Sequence, residues 1–184
     1  MAAAAATGAA HLVVIDMQRV FAEPDSPWGT PGFADIVPTT AKLVSAYGPQ
    51  TTFTRFVAPA TPTGAWRAYY AEWEFALQPP DAPLWDVVAE LGPPDAPTVD
   101  ATTFSKWGPE LAARVGDRTM VLAGVSTDCC VLSTAVAAAD AGIPVQVVRD
   151  ACAGVDQDSH DKALHVLGLY APLVTVVHST DLLG

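Results

Sequence analysis

The sequence is poor in charge, and poorest in positive charge. Only 16% of its 184 residues are charged, with 9 Lys and Arg against 20 Asp and Glu, for a formal net charge of −11. A chain of that sign repels phosphate backbones and anionic lipid headgroups, so neither nucleic acid nor a membrane is expected as a partner. Long apolar runs are missing as well: none approaches the ~20 residues of a membrane span. The opening MAAAAATGAA lacks the basic start and apolar centre of a signal peptide, and residues 1–10 read as a flexible tail. Cysteine is scarce. Three cysteines, two of them neighbours, make a poor disulfide framework and fit a reducing compartment, so a cytoplasmic location is expected. Histidine is equally sparse: His160 and His165 are five apart and share no helix face, while His11 and His178 fall at strand ends. All four are expected to cap or pair locally, and no metal or other cofactor is expected. No G-x-G-x-x-G follows any expected strand, which removes a dinucleotide site.

What is present is apolar and periodic. Residues 11–184 are enough for one domain with its own core. Six short runs rich in β-branched residues (11–15, 51–56, 97–100, 120–124, 144–148 and 173–178) read as buried strands. Helical spacing occupies 35–47, 85–91, 109–115, 129–141 and 159–170, several of these ending at Gly or Pro. Alternation of this kind gives an α/β fold: a three-layer α/β/α sandwich around a six-stranded, mainly parallel, doubly wound sheet, Rossmann-like, in the order 3-2-1-4-5-6. The proline-rich stretch 57–97 breaks the rhythm. Its cluster of Trp66, Tyr69, Tyr70, Trp73 and Phe75 reads as a short aromatic helix serving as a lid, a pocket wall or a subunit contact.

In such a sheet the ligand crevice lies beyond the carboxyl ends of strands 1 and 4. Strand 1 ends at Asp16 in LVVIDMQRVF, and strand 4 leads into GVSTDCCV. With Thr127 or Asp128 as cap, Cys129 and Cys130 fall in the first helical turn, where unpaired N–H groups and the helix dipole favour a thiolate. Successive helical residues point about 100° apart, so one of the pair faces the crevice. Asp16 would take the thiol proton and return it to a leaving amine, and backbone N–H groups of the turn would hold an oxyanion. Cys152, after strand 5, reads as packing.

At these residues the chain resembles the isochorismatase-like cysteine hydrolase superfamily, which includes nicotinamidases and N-carbamoylsarcosine amidase. The likeness rests on D-x-Q-x-x-F (Asp16, Gln18, Phe21), on FTR at Phe53 to Arg55, and on G-V-S-T-D-x-C-V followed by an alanine-rich helix. It implies Cys130 as nucleophile, Asp16 as proton carrier, and a cis peptide at Val125-Ser126 that aims the N–H of Ser126, with that of Cys130, at the oxyanion. It also implies a lysine after strand 3. Aligning Phe104, Ser105 and Trp107 puts Ala101 at that position, whereas Lys106 fits only with a shifted register and is expected as a solvated side chain on an early helical turn. The resemblance therefore implies an impaired chain, through a deliberate substitution or a natural loss. Gln18, Phe21, Trp107 and Trp66 are the candidate substrate walls, and a homo-oligomer, dimer or tetramer, is implied.

The function implied is hydrolysis of a C–N amide bond of a small molecule, cyclic amides and carbamoyl groups included, through a thioester. Two alternatives stand beside it: vinyl-ether hydrolysis of the isochorismate type, and a catalytically dead member that binds a metabolite.

Overall fold

The computed structural model describes residues 10–92 and 98–184. Six strands run β1 (Ala10–Ile15), β2 (Thr51–Phe56), β3 (Thr98–Ala101), β4 (Thr119–Val125), β5 (Val145–Ala153) and β6 (Val174–Val177). Every pairing is parallel, and the order is β3-β2-β1-β4-β5-β6. The helices are α1 (Arg19–Ala22), α2 (Phe33–Tyr47), α3 (Trp66–Glu72), α4 (Pro109–Val115), α5 (Leu132–Asp140), α6 (Gln157–Gly168) and α7 (Ser179–Leu183). Among the described residues no helix is long and apolar enough to cross a membrane.

The central strands β1 and β4 read as nearly continuous apolar runs because both faces of the sheet are covered there. In β1, Leu12 and Val14 enter a core with Phe33, Ile36 and Leu43 of α2, while Val13 and Ile15 enter a second core with Leu111 of α4 and Ala135 of α5. A third cluster gathers Val20, Phe56, Tyr70 and Trp85 beneath the irregular stretch after β2.

Three expectations change here. Residues 85–91 are not a helix: Pro83–Trp85 forms a single 3₁₀ turn, Val87 then bridges Gln18 antiparallel, and the N–H of Val88 bonds Met17 O at 2.9 Å. Backbone pairing to the segment leaving β1 outcompetes helix there. The helix expected from Cys129 begins as a π turn over Thr127–Val131 and becomes α-helical only at Leu132. Ala10, expected at the end of a tail, is instead buried in β1; residues 1–9, and Pro97 of the third expected strand, lie outside the described residues.

Candidate active site

Asp16 is the first residue beyond β1, and it is fully buried with φ of 49°. That left-handed conformation is uncommon for a residue with a side chain and is tolerated best by Asp and Asn. It turns the carboxylate toward two neighbours. Thr54 of β2 donates its hydroxyl to Asp16 Oδ1 at 2.7 Å and accepts from the Asp16 N–H at 3.2 Å. Lys106 Nζ stands 2.9 Å from Asp16 Oδ2, with both side chains 0% exposed. The ammonium also donates to Thr103 O at 2.8 Å and lies 4.8 Å from the centre of the Phe56 ring. An ion pair removed from water is costly unless its remaining capacity is met, and here Thr54, the Thr103 carbonyl and the face of Phe56 meet part of it, while Asp16 Oδ2 accepts no hydrogen bond beyond its contact with the ammonium.

The register of the neighbouring strand brings the cysteines to this pair. Ile15 of β1 lies opposite Gly124 of β4, so the chain leaving β4 emerges beside Asp16. Gly124 has φ of +116°, and a Cβ there would sit 2.1 Å from Ile15 O. Only glycine allows that approach. The Val125-Ser126 peptide that follows is cis. The π turn then closes with the N–H of Val131 on Ser126 O at 3.1 Å, placing Cys130 at its C-terminal end, 5% exposed. Single π turns of this kind are frequent at functional sites.

One hydroxyl joins the two halves. Thr134 donates to Cys130 O at 2.6 Å and accepts the Lys106 N–H at 2.9 Å, so the loop carrying the lysine is tied to the turn carrying the cysteine. Hydrogen bonding to the Cys129 thiol, burial and the charge of Asp16 push the Cys130 thiol well above its ordinary range, with Lys106 opposing. Cys129 shifts the other way, lowered chiefly by its bond with Cys130.

Both cysteines open onto a cavity of about 340 Å³. Its walls are Phe21, Trp28, Phe56, Tyr69, Trp73 and Phe104, with Ser126 and Val155 at the cysteine end. Burial, and then the nearby Cys129, keep the Tyr69 phenol far above its usual range, so it stays neutral.

The isochorismatase domain model matches residues 10–180. The chain belongs to the isochorismatase family. A curated relative, isochorismatase domain-containing protein 2 of Xenopus laevis, is 37% identical over 78 residues, which span 40% of this chain and 38% of the relative's length. Among solved structures, a cysteine hydrolase from Pseudomonas syringae is similar with a TM-score of 0.81 and 23% identity, covering 96% of this chain and 92% of its own. The pyrazinamidase of Pyrococcus horikoshii has a TM-score of 0.73 and 22% identity over 92% of this chain and 99% of its own. The N-carbamoylsarcosine amidase of Thermoplasma acidophilum has a TM-score of 0.71 and 21% identity over 92% and 96% of the two chains.

Against these family expectations the structure sorts the candidates. Phe21, Ser126 and Cys130 line the cavity, and Asp16 follows β1 beside the end of β4. Lys106 departs from expectation: it is a buried ion-pair partner and no solvated side chain, because residues 102–108 form a loop that folds back under Phe56. Ala101 ends β3, where its carbonyl accepts the Val57 N–H at 3.0 Å. Lys106, and not the residue at position 101, is therefore the cation that stands beside Asp16. Gln18 does not face the cavity. Its amide is fully buried, bonding Phe56 O at 3.0 Å, Trp85 O at 2.8 Å and Phe56 N at 2.8 Å, so it braces the backbone. Trp107 packs on the α4–α5 side of the sheet, outside the cavity walls. Trp66 stands one row back, 5.0 Å from the Phe104 ring and 5.2 Å from that of Tyr69. Neither expected helix cap is used as one: Thr127 Oγ1 bonds His160 Nδ1 at 2.8 Å, and Asp128 Oδ1 accepts the Ser126 hydroxyl at 2.6 Å and the Val155 N–H at 2.9 Å.

Thr54, Thr134 and Trp28 were missed. Thr54 was readable as the inward residue of TTFTRF two positions before the strand end, whereas nothing local marks Thr134 or Trp28. Of the remaining expectations, Cys152 is buried, its thiol raised to about 12 by burial. His11 bonds Thr52, and His178 heads α7 in a capping box with Asp181. Among the described residues no three His, Cys, Asp or Glu side chains cluster as a metal site would need.

Proposed function

We propose that this chain is a cysteine hydrolase that cleaves a C–N amide bond of a small molecule through a thioester. The observation that carries the reading is the fully buried Asp16–Lys106 pair, tied through Thr134 to the turn of Cys130 at the end of an open cavity. The names of the pyrazinamidase and the N-carbamoylsarcosine amidase among its structural neighbours agree with it.

Because the resting Cys130 thiol is held protonated, its proton must leave as the sulfur attacks. Cys130 Sγ bonds to the carbonyl carbon while Asp16 takes the thiol proton. The carbonyl oxygen gains the electron pair and is held by the N–H groups of Ser126 and Cys130. The C–N bond then breaks, and the amine departs with the proton from Asp16. Water, deprotonated by Asp16, attacks the thioester; the acid leaves and the thiol regains its proton. Lys106 stays 2.9 Å from Asp16 Oδ2, where its charge offsets that of the carboxylate and holds it in place. Assembly into a homo-oligomer belongs to the same proposal, and sedimentation equilibrium tests it.

The decisive experiment is intact and peptide mass spectrometry of enzyme quenched during turnover of primary amides. The expected result is an acyl group on the peptide at Cys130, with turnover reduced at least about 10³-fold in Cys130→Ala and retained in Cys129→Ala. An acyl group on Cys129 instead, or undiminished turnover by Cys130→Ala, overturns the proposal.

A further inference from the structure

The hydrolase reading leaves the substrate open, and the cavity walls narrow it. No lining side chain among the described residues carries a charge. The nearest cation, Lys106, is spent: its ammonium is 0% exposed between Asp16 and the Thr103 carbonyl. A substrate carboxylate would find no counter-ion there and would meet the field of a chain with net charge −11.

What the walls offer is flat apolar surface already fixed in place. Trp28 stacks on Phe21 at 6.1 Å and 10°, and meets Phe56 at 5.7 Å and 78° and Phe75 at 5.1 Å and 74°. These are the offset and edge-on arrangements that aromatic rings prefer, so the slot is ordered before any ligand arrives. Its volume of about 340 Å³ is more than twice the roughly 150 Å³ of an engineered apolar cavity that holds one benzene.

Resting on the hydrolase reading above, we infer that the substrate is a neutral amide bearing an aryl group larger than a single ring, and that carboxylate-bearing amides are rejected. The aryl group lies in the cavity against the surface that Phe21, Trp28 and Trp73 present to it, and the amide carbonyl reaches Cys130 at the other end.

The test compares acetamide, 3-phenylpropanamide, 2-naphthylacetamide and succinamate as substrates, and measures by calorimetry the binding of 2-naphthylacetamide and succinamate to Cys130→Ala. The expected result is a kcat/KM for 2-naphthylacetamide on the order of 100-fold above acetamide, the gain of burying one large aromatic group. Succinamate is expected to be the poorest of the four and not to bind. Trp73→Arg is expected to reverse the order of 2-naphthylacetamide and succinamate. Turnover with acetamide or succinamate equal to or above the aryl amides overturns this inference and leaves the hydrolase reading standing. Binding of 2-naphthylacetamide with no amide turned over overturns the hydrolase reading while supporting the ligand class. Failure of both binding and turnover overturns both.

Discussion

Lys106 shows how much one side chain can carry. Its ammonium neutralises a carboxylate that has no exposure to water, so Lys106→Ala leaves Asp16 as an uncompensated buried charge. The expected cost is about 3–5 kcal/mol of stability, together with loss of hydrolysis. Asp16→Asn combined with Lys106→Met should recover much of the stability, as read by urea denaturation, and none of the activity. Ala101→Lys is expected to add no activity, because the cation is already in place; a large gain would restore Ala101 to the role that alignment of residue types gave it. Gln18 behaves differently. Gln18→Leu strands Phe56 N, Phe56 O and Trp85 O without side-chain partners, at an expected cost of about 1–3 kcal/mol. Since its amide does not reach the cavity, the KM of residual folded enzyme should stay near wild type, whereas a substrate contact would raise it. Both residues stood out by type. Their roles depended on where a loop and a strand end turned, which residue type does not encode.

At the scale of elements, β1 carries both the site and a pH sensitivity. His11 is buried against Thr52, and burial, then Arg118, lowers it from 6.5 to about 4. The unfolded chain therefore binds the proton before the folded one does. Stability is fully present above pH 6.5 and is lost as pH falls through that value toward 4, by up to about 3 kcal/mol. His11→Gln should flatten this part of the profile in thermal denaturation between pH 7 and 4; an unchanged slope would show that other groups carry it. The strands themselves were legible because helices cover both faces of the sheet, which demands apolar residues at successive positions. Residues 85–91 were misread for the complementary reason. Apolar spacing alone cannot separate a helix from a chain whose N–H groups bond the segment after β1. The π turn at Thr127–Val131 was likewise hidden, because it differs from an α-helical start only in which carbonyl the Val131 N–H chooses.

Over the whole molecule, charge and aromatic surface act together. A net charge of −11 slows the approach of anions and leaves neutral molecules unaffected. Raising ionic strength from 10 to 150 mM shortens the screening length from roughly 30 to 8 Å. The residual kcat/KM for a carboxylate-bearing amide should therefore rise, and that for a neutral aryl amide should not. Equal salt dependence for the two would show that the global field plays no part in selection.

The sequence alone determined the architecture and half of the site. Six strands alternating with helices fix a parallel sheet with one favoured hand of crossover, and the ends of its buried central strands β1 and β4 bring Asp16 and the turn of Cys130 to one end of the sheet. The tertiary structure alone decided that Lys106 is the partner of Asp16, that Gln18 is a brace, and that Trp28 joins Tyr69 and Trp73 in one wall. Strand position follows from local periodicity. The end of a loop is set by the contacts it makes, and here those contacts lie 28 residues away at Thr134 and far back along the chain at Asp16.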